Sequence, residues 1–399
     1  MLFLMHGKRN EMRLHYKKTI LFCVTLLLCI FAACKKEEPV SAMLPETVTA
    51  MPITETATPA ASTVKAEEIS LSANTPQPVV QEAQPVPTAT PTPTATPRLS
   101  NGEKYWAPDG VYTVAWVTDT QHYANTFPEI YPTITEFLYN HRDDLNLVYV
   151  IHTGDLTHKN RDTKNWERAV EAMDILGDIP YGVLAGNHDM AATLGYENYW
   201  KYFGEDKFKS LDCYGASFEN NRGHYDLLTI GDTDYIFVYM SHEPNEAAMQ
   251  FMKDSFDAYP DRVGILCLHE FMTTEGTISK TGKIIREKVV SACPNCYLVL
   301  CGHRYGVYCL TDTFDDDGDG EEDRTVYEMM CNYQSAGKEG GSGYFRLMRF
   351  NDASGEIEMM SYSPYLQDYN LLDDPSKREE RYRMDETSEE FTLKMPWKR

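Results

Sequence analysis

Positive charge is scarce in this sequence: 37 Lys and Arg residues stand against 60 Asp and Glu residues, which gives a formal net charge of −23. That balance argues against a nucleic-acid backbone or an anionic lipid surface as a partner. Long apolar runs are scarce as well, and the single one, residues 19–33, is too short and wrongly flanked for a transmembrane helix. An acidic protein can still act on phosphates when bound metals supply local positive charge.

The number of cysteines does not indicate a disulfide framework. Seven of them follow Cys34, and an odd number argues against a complete set of disulfides. Cys267 and Cys301 lie inside apolar runs, so we expect packed thiols there. Cys293 and Cys296 form a CxxC pair that could serve redox chemistry or zinc. Because no second CxxC and no thioredoxin-like helix start accompany it, we predict a turn before a strand, with or without a local disulfide.

The first 34 residues are predicted to be a lipoprotein signal peptide. A basic segment precedes the apolar run, which ends in Ala32, Ala33 and Cys34 and resembles a bacterial lipobox, although Phe31 stands where Leu is usual. Cys34 would carry the lipid and anchor the chain to the cell membrane, facing the extracytoplasmic side. A plain secretory signal and an uncleaved anchor are the alternatives, and each also places the rest of the chain outside the cytoplasm.

Two further segments differ in composition from a folded domain. Residues 35–103 are rich in Pro and Thr, and such a composition cannot bury enough apolar surface to fold. Their prolines favour extended polyproline II, which predicts a semi-rigid stalk. Residues 366–399 are predicted to be a charged tail that stays solvated, either as a surface helix or as a loose chain.

Residues 104–365 carry the pattern of a folded domain. Three strand-like apolar runs alternate with the helical segments 128–141 and 163–177, and this βαβαβ order predicts a parallel sheet with right-handed crossovers. Seven more strand-like runs follow, which is too many for one simple sheet. We therefore predict an α/β fold in which two packed mixed β-sheets are flanked by helices.

Five polar motifs follow strand-like runs in a fixed order. They are Asp119-Thr120-Gln121, Gly154-Asp155, Gly186-Asn187-His188-Asp189, the lone His269, and Gly302-His303. Open α/β sheets place their sites at the ends of strands, and Asp, Asn and His bind divalent metals. A single lone histidine is more often a satisfied core or surface residue, but five such motifs in order predict a metal site.

The ordered motifs resemble the calcineurin-like metallophosphoesterase family over residues 113–362. The resemblance implies a four-layer αββα sandwich and two close metal ions, bridged by one carboxylate and by a water whose lowered pKa lets it attack phosphorus. By this resemblance Asp155 is the bridging ligand, and Asn187, His269 and His303 complete one metal site. Imidazole and oxygen ligands together suit Zn, Mn or Fe.

The second metal site departs from the family pattern. Gln121 and Tyr305 stand where the resemblance implies histidines. The ligands left are Asp119, the shared Asp155, the Gln121 amide oxygen and a Tyr305 phenolate, and oxygen ligation favours harder ions such as Mn, Mg, Ca or ferric iron. Either a second metal binds differently or weakly, or the site works with one. The predicted cofactor is therefore one or two divalent ions, Mn, Fe or Zn.

Three residues of the motifs are assigned to substrate chemistry. His188 would donate a proton to the leaving oxygen and would be oriented by Asp189, because a general acid needs a partner that fixes its tautomer. Arg304 could contact phosphate oxygens through its planar guanidinium, an inference from its place in the last motif and not from the family. His122 and His158 lie near the first two motifs and could compensate for missing ligands.

An acidic loop is a second candidate site. Asp315, Asp317, Asp319 and Asp323 alternate with other residues and with glycine, as in short loops that wrap calcium. An EF-hand is excluded because Val326 stands where its twelfth position needs a carboxylate. A calcium loop of another type and a solvated acidic hairpin tip are both left open.

The sequence thus predicts an extracytoplasmic, lipid-anchored phosphoesterase that hydrolyses a phosphomonoester or phosphodiester by metal-activated water. Its partners would be a phosphorylated substrate of unknown identity and, through lipidated Cys34, the membrane, with no nucleic acid. The alternative is a catalytically impaired metal-binding lipoprotein on the same scaffold, because Gln121 and Tyr305 replace two metal ligands.

Overall fold

The computed structural model describes residues 103–191, 195–335, 338–373 and 386–398. The predicted signal peptide and nearly all of the predicted stalk lie outside these ranges. The described residues all belong to one compact unit. Among them, no helix combines the length and the apolar composition needed to cross a membrane.

Fourteen strands run through the described residues. In chain order they are β1 (Val111–Val117), β2 (Leu147–His152), β3 (Tyr181–Val183), β4 (Tyr214–Phe218), β5 (Gly223–Ile230), β6 (Thr233–Met240), β7 (Val263–Leu268), β8 (Cys296–Cys301), β9 (Gly306–Phe314), β10 (Arg324–Asn332), β11 (Phe345–Asn351), β12 (Glu356–Ser363), β13 (Asp368–Tyr369) and β14 (Phe391–Lys394). The helices are α1 (Gln121–Asn125), α2 (Ile130–Asn140), α3 (Arg142–Leu145), α4 (Thr163–Asp174), α5 (Glu197–Phe203), α6 (Glu205–Phe208), α7 (Glu246–Ala258) and α8 (Lys280–Ile285), which continues as a π-helical turn.

The strands form two mixed sheets of seven strands each. The first has the order β13-β12-β11-β1-β2-β3, with β14 also on β12, and the second has the order β4-β5-β6-β7-β8-β10-β9. β1, β2 and β3 are parallel, which confirms the predicted βαβαβ unit. In the second sheet β6, β7, β8 and β10 are parallel. Parallel strands end at the same edge, so each sheet gathers the residues that follow its strands.

Alternation along the strands explains the layers. Successive side chains point to opposite faces of a sheet, so Trp116 of β1 packs between the two sheets beside Phe237 of β6. Val117, its neighbour, faces the helices on the outside of the first sheet. On the outside of the second sheet, Val238 packs against Phe256 of α7. The result is helix, sheet, sheet, helix, and the predicted fold class is confirmed.

The end of the chain is part of this fold, so the predicted solvated tail is wrong for residues 386–398, and the domain extends past residue 365. β14 pairs antiparallel with β12. Glu389 is fully buried, accepts hydrogen bonds from the hydroxyls of Tyr333 (3.0 Å) and Ser361, and lies 3.7 Å from the buried guanidinium of Arg346. The sequence did not predict this contact, because the residues around Glu389 are densely charged and its partner, Arg346, comes 43 residues earlier in the chain.

The thiols agree with the sequence analysis. Cys267 and Cys301 are buried free thiols, as predicted. Cys293 and Cys296 are also free thiols, and the backbone N–H of Cys296 donates to the carbonyl of Cys293 at 2.9 Å. The predicted turn is therefore confirmed, and it is closed by a backbone hydrogen bond instead of a disulfide.

Candidate metal centre

The predicted motifs lie just beyond the carboxyl ends of five parallel strands. β1, β2, β3, β7 and β8 lead to Asp119, Asp155, Asn187, His269 and His303. Asp119, Asp155 and His303 take left-handed backbone conformations, with φ of 51°, 56° and 65°. Such conformations are uncommon outside glycine and concentrate at functional sites, where the surrounding structure holds them.

Four of these residues converge on one point. Ligand atoms of Asp155, His269 and His303 all lie within 4.8 Å of one another. The Oδ1 atom of Asn187 is 3.1 Å from Nε2 of His269, and Oδ1 of Asp155 is 3.4 Å from that same nitrogen. The structure therefore brings together the four side chains that the sequence assigned to one ion.

The donor atoms around His269 fit a cation. Its Nδ1 lies 2.9 Å from the carbonyl oxygen of Thr153, which places a hydrogen on Nδ1, so in the neutral ring the lone pair is on Nε2. That lone pair faces the oxygens of Asn187 and Asp155, so three electron-rich atoms meet. Burial lowers the pKa of His269, but the Asp155 carboxylate, together with the Asp119 carboxylate and the Thr153 carbonyl, raises it to about 9. The site thus attracts positive charge, which a divalent ion would supply.

His303 is suited to the same ion. Burial, together with the nearby His269 and Arg304, lowers the pKa of His303 to about 2. A metal binds only the neutral imidazole, so a histidine that resists protonation is available as a ligand over the whole physiological pH range.

Asp119 and Gln121 form the altered half of the site. Oδ2 of Asp119 accepts hydrogen bonds from Oγ1 of Thr118 (2.7 Å) and from the backbone N–H of His303 (3.0 Å), while Nε2 of Gln121 donates to Oδ2 of Asp155 (2.8 Å). Oδ1 of Asp119 and Oε1 of Gln121 are buried, and neither has a hydrogen-bond partner among the described residues. Buried oxygens without partners are rare, and they fit the oxygen ligation expected of a second cation.

The electrostatics of Asp119 agree with that fit. Burial raises the pKa of its carboxyl group to about 7; His269 opposes this shift, and the Asp155 carboxylate adds to it. Two buried carboxylates side by side destabilise each other unless a cation or a proton lies between them.

Glycines keep this site compact. A Cβ atom on Gly186 would collide with Oδ1 of Asp155 and would lie 2.7 Å from Cε1 of His269. A Cβ atom on Gly302 would collide with Oδ2 of Asp119. The glycines that precede the ligands in the motifs are therefore required because the carboxylates pack directly on the neighbouring backbone.

His188 lies beside the bridging carboxylate. Its backbone N–H donates to Oδ1 of Asp155 at 2.9 Å, and its Nδ1 lies 3.1 Å from the carbonyl oxygen of His158. The two rings of His188 and His158 are stacked, with centroids 5.1 Å apart and planes at 19°. His158 thus fixes both the position and the tautomer of His188.

The predicted role of Asp189 in orienting His188 is wrong. The hydrogen bonds of its carboxylate, among the residues that the structure describes, come from the backbone N–H groups of Leu156, Thr157 and Gly186 and from the Thr157 hydroxyl, at 2.8–3.0 Å. These donors use both oxygens, so Asp189 holds the loop after β2 against the loop after β3. The sequence could not reveal this because three of the four donors are backbone N–H groups.

Two further residues of the last motif follow His303. Arg304 has a side chain that is 49% exposed, and its Nη2 lies 4.0 Å from Oε1 of Glu270. Tyr305 is half-buried and directly precedes β9. Their roles in binding phosphate and metal stay predictions.

The acidic loop is only partly gathered. Carboxylate oxygens of Asp315, Asp317 and Asp323 lie within 4.8 Å of one another and are exposed. Asp319 stands apart from this group, and its Oδ1 accepts the backbone N–H of Glu321 at 2.8 Å. Calcium binding by this loop stays a prediction.

One residue of the site, His242, belongs to none of the five motifs. His242 follows β6, a parallel neighbour of β7, and its ring centroid lies 5.1 Å from that of His303 and 5.5 Å from that of His269. The signal was present, because His242 also comes directly after a strand-like run, DYIFVYMS. It was missed because it belongs to none of the five motifs.

Comparisons with known proteins bear on this site. Residues 112–304 match the family model described as calcineurin-like phosphoesterase. The chain is similar to an uncharacterized protein, YvnB, of Bacillus subtilis (strain 168), with 41% identity over 266 residues, which are 66% of this chain and 21% of YvnB. The chain thus spans about a fifth of the length of that relative.

Two solved structures are similar at low identity. One is GAP50, the anchor in the inner membrane complex of Plasmodium, with 12% identity and a TM-score of 0.45, covering 70% of this chain and 92% of GAP50. The other is purple acid phosphatase PPD1 from yellow lupin (Lupinus luteus) seeds, with 13% identity and a TM-score of 0.45, covering 65% of this chain and 52% of PPD1.

The family match begins in β1 and ends at Arg304, so it includes all five motifs and every candidate metal ligand except Tyr305. Residues 112–304 therefore form a calcineurin-like phosphoesterase domain.

Proposed function

We propose that this chain is a lipid-anchored, extracytoplasmic phosphoesterase that hydrolyses a phosphomonoester or phosphodiester with one or two divalent ions. The observation that carries the proposal is the convergence of Asp155, His269 and His303, whose ligand atoms lie within 4.8 Å of one another. The family match supports phosphoester chemistry at this point, since the three residues follow strands in the order of the family motifs.

Two groups of residues would hold the ions. The first consists of Asp155, Asn187, His269 and His303, and the second consists of Asp119, Gln121 through Oε1, and Tyr305. When bound, such ions supply Lewis acidity to a phosphoryl oxygen and lower the pKa of the attacking water. The mixture of imidazole and oxygen donors suits Mn, Fe or Zn.

His188 is the proposed proton donor to the leaving oxygen. Its Nδ1 is held by the carbonyl of His158 at 3.1 Å, so Nε2 is the nitrogen that can deliver a proton to substrate. The backbone bond to Asp155 keeps this ring next to the metal ligands. Arg304, half-exposed at the rim, is the proposed contact for phosphate oxygens.

Hydrolysis of p-nitrophenyl phosphate and of its bis ester tests the proposal directly. The full chain, purified in detergent, would be loaded with Mn, Fe or Zn and assayed from acid to alkaline pH. We expect turnover of at least one ester, and we expect His303→Ala to abolish it while His141→Ala, a histidine outside the site, retains it. Absence of turnover of both esters with every metal contradicts the proposal.

A catalytically impaired metal-binding protein is the second candidate. The observation that favours it is the hydrogen bond from Nε2 of Gln121 to Oδ2 of Asp155, because it occupies an oxygen that a bridging carboxylate would offer to a second ion. This candidate predicts one bound metal per chain and no turnover. Metal analysis of the same protein sample, run beside the ester assay, separates the two candidates.

Anchoring through Cys34 is a proposal that rests on the sequence. We expect the wild-type chain to fractionate with membranes and to incorporate labelled fatty acid. Cys34→Ala should lose the label, whereas Cys29→Ala, which changes a cysteine within the apolar run, should keep it. Equal labelling of wild type and Cys34→Ala contradicts lipidation at this residue.

A further inference from the structure

His242 occupies a position that the five motifs do not account for. It follows β6, and its ring packs at the edge of the metal centre, with centroids 5.1 Å from His303 and 5.5 Å from His269. Its side chain keeps 10% of its surface exposed, so the ring is reachable although it is mostly enclosed. We propose that His242 is a substrate-binding residue that donates a hydrogen bond from Nε2 to a phosphoryl oxygen.

This inference rests on the proposed function and names a contact that the function requires. The substrate would be a phosphate group next to the two histidines, His269 and His303. His242 is not one of the three residues whose ligand atoms gather within 4.8 Å, so the structure places it beside the metal ligands and outside their group. A residue in that position can reach a phosphate oxygen without replacing a ligand.

The backbone of His242 is fixed to the segment that carries a metal ligand. Its N–H donates to the carbonyl of Ala185 at 3.0 Å, and Oγ of Ser241 accepts the N–H of Ala185 at 2.9 Å. The hydroxyl of Tyr196 donates to the carbonyl of His242 at 2.8 Å. Because Ala185 comes two residues before Asn187, these bonds fix the backbone of His242 relative to that metal ligand. A binding residue needs such fixed support.

The ring nitrogens of His242 have no close partner. Nδ1 is buried and, within the described part of the chain, receives or donates no hydrogen bond. The nearest charged groups are Oε2 of Glu270, 4.0 Å from Nδ1, and Oε1 of Glu243, 4.0 Å from Nε2. Both distances are too long for hydrogen bonds. Because Nδ1 is buried and Nε2 is not among the buried atoms, Nε2 is the ring nitrogen that can meet a ligand.

Glu270 links His242 to the other proposed phosphate contact. Its Oε1 lies 4.0 Å from Nη2 of Arg304, while its Oε2 faces Nδ1 of His242. The carboxylate therefore lies between the two proposed phosphate contacts. A phosphate oxygen would meet donors from β6 and from the segment after β8, in addition to the ions.

Two substitutions that differ in where they place a donor test the proposal. The amide nitrogen of Gln lies near the position of histidine Nε2, whereas the shorter Asn reaches only the position of Nδ1. For the metal-loaded full chain, we expect His242→Asn to weaken the binding of inorganic phosphate, measured by calorimetry, about 10- to 100-fold. We expect His242→Gln to recover most of that loss, and His141→Gln to match the wild type.

The measurements also separate this proposal from the proposed function. The KM for p-nitrophenyl phosphate should rise in His242→Asn with little change in metal content. Phosphate binding and KM that are unchanged in His242→Asn overturn the role of His242 and leave the phosphoesterase proposal standing. Loss of metal from His242→Asn also overturns it, since His242 would then be a ligand. Phosphate binding that depends on His242 in a chain without turnover supports the contact and contradicts the enzyme.

Discussion

Replacement of Gly186 by alanine should displace the metal ligands without removing any of them. A Cβ atom at this position would be 2.7 Å from Cε1 of His269, which is 0.7 Å short of the 3.4 Å of ordinary contact, and it would be closer still to Oδ1 of Asp155. Neither neighbour is the end of a flexible chain, because His269 is held by Thr153 and Asp155 by the backbone of His188.

The size of the effect follows from the geometry of coordination. Metal–ligand distances tolerate deviations of about 0.2 Å, and changes in groups that only support ligands typically lower metal affinity by about 10- to 100-fold. The forced shift of His269 alone exceeds that tolerance, so we expect a loss of Mn affinity at the upper end of this range. The overpacking should also destabilise the fold by about 1–3 kcal/mol.

Calorimetric titration with Mn and urea unfolding of the metal-free chain measure the two effects. Gly195→Ala is the matched control, because the atoms nearest to its Cβ atom would be the end of the Glu197 side chain, which can move away. The reasoning fails if Gly186→Ala binds Mn within threefold of the wild type, or if Gly195→Ala loses as much affinity as Gly186→Ala does.

Three further predictions concern stability, and urea unfolding checks each of them. Glu389→Gln should destabilise the fold by about 3–5 kcal/mol, because it leaves the buried Arg346 without its charge partner, whereas Glu390→Gln at a partly exposed pair should change stability by less than about 1 kcal/mol. Asp189→Asn should destabilise by about 1–3 kcal/mol, because one oxygen that accepts backbone N–H groups is lost. Burial raises the pKa of Glu328 from 4.5 to about 7, with Asp312 adding to the shift and Arg286 opposing it. The folded state therefore holds this proton more tightly than the unfolded chain, and wild-type stability should fall as pH rises from about 4.5 to 7. Glu328→Gln should match the wild type at pH 5 and exceed its stability by roughly 2–3 kcal/mol at pH 8, and an equal difference at both pH values contradicts this assignment.

The sheets and the convergence of four ligands were accessible from the sequence because their signals are local. An apolar run followed at once by Asp, Asn or His identifies both a strand and the side chain at its end. Parallel pairing then brings the ends together, as β7 and β8 do for His269 and His303. Asp155 and Asn187 follow strands of the other sheet, so the packing of the two sheets face to face completes the group.

The remaining features depend on contacts that sequence order does not encode. Asp189 is a carboxylate directly after His188, which suggests a partner for that ring. Its oxygens instead accept hydrogen bonds from backbone N–H groups of the loop after β2. Glu389 lies in a run of charged residues, and only the fold shows that Arg346 is buried beside it. In both cases a carboxylate pairs with groups that are distant in the sequence. Its charge alone had suggested an orienting partner for Asp189 and a solvated position for Glu389.

Asp119 connects the two halves of the metal centre, so its presence does not by itself indicate a second ion. Oδ2 accepts the backbone N–H of His303, so this carboxylate supports a ligand of the first ion whether or not a second ion binds. This hydrogen bond gives Asp119 a function even in a site with one metal ion. The discriminating atoms are Oδ1 of Asp119 and Oε1 of Gln121, the buried oxygens without partners among the described residues of this half. If Gln121→Leu keeps one metal per chain and loses a second, those oxygens hold an ion. If wild type and Gln121→Leu both bind one, Gln121 serves only as a hydrogen-bond donor to Asp155, and the chain works with a single ion.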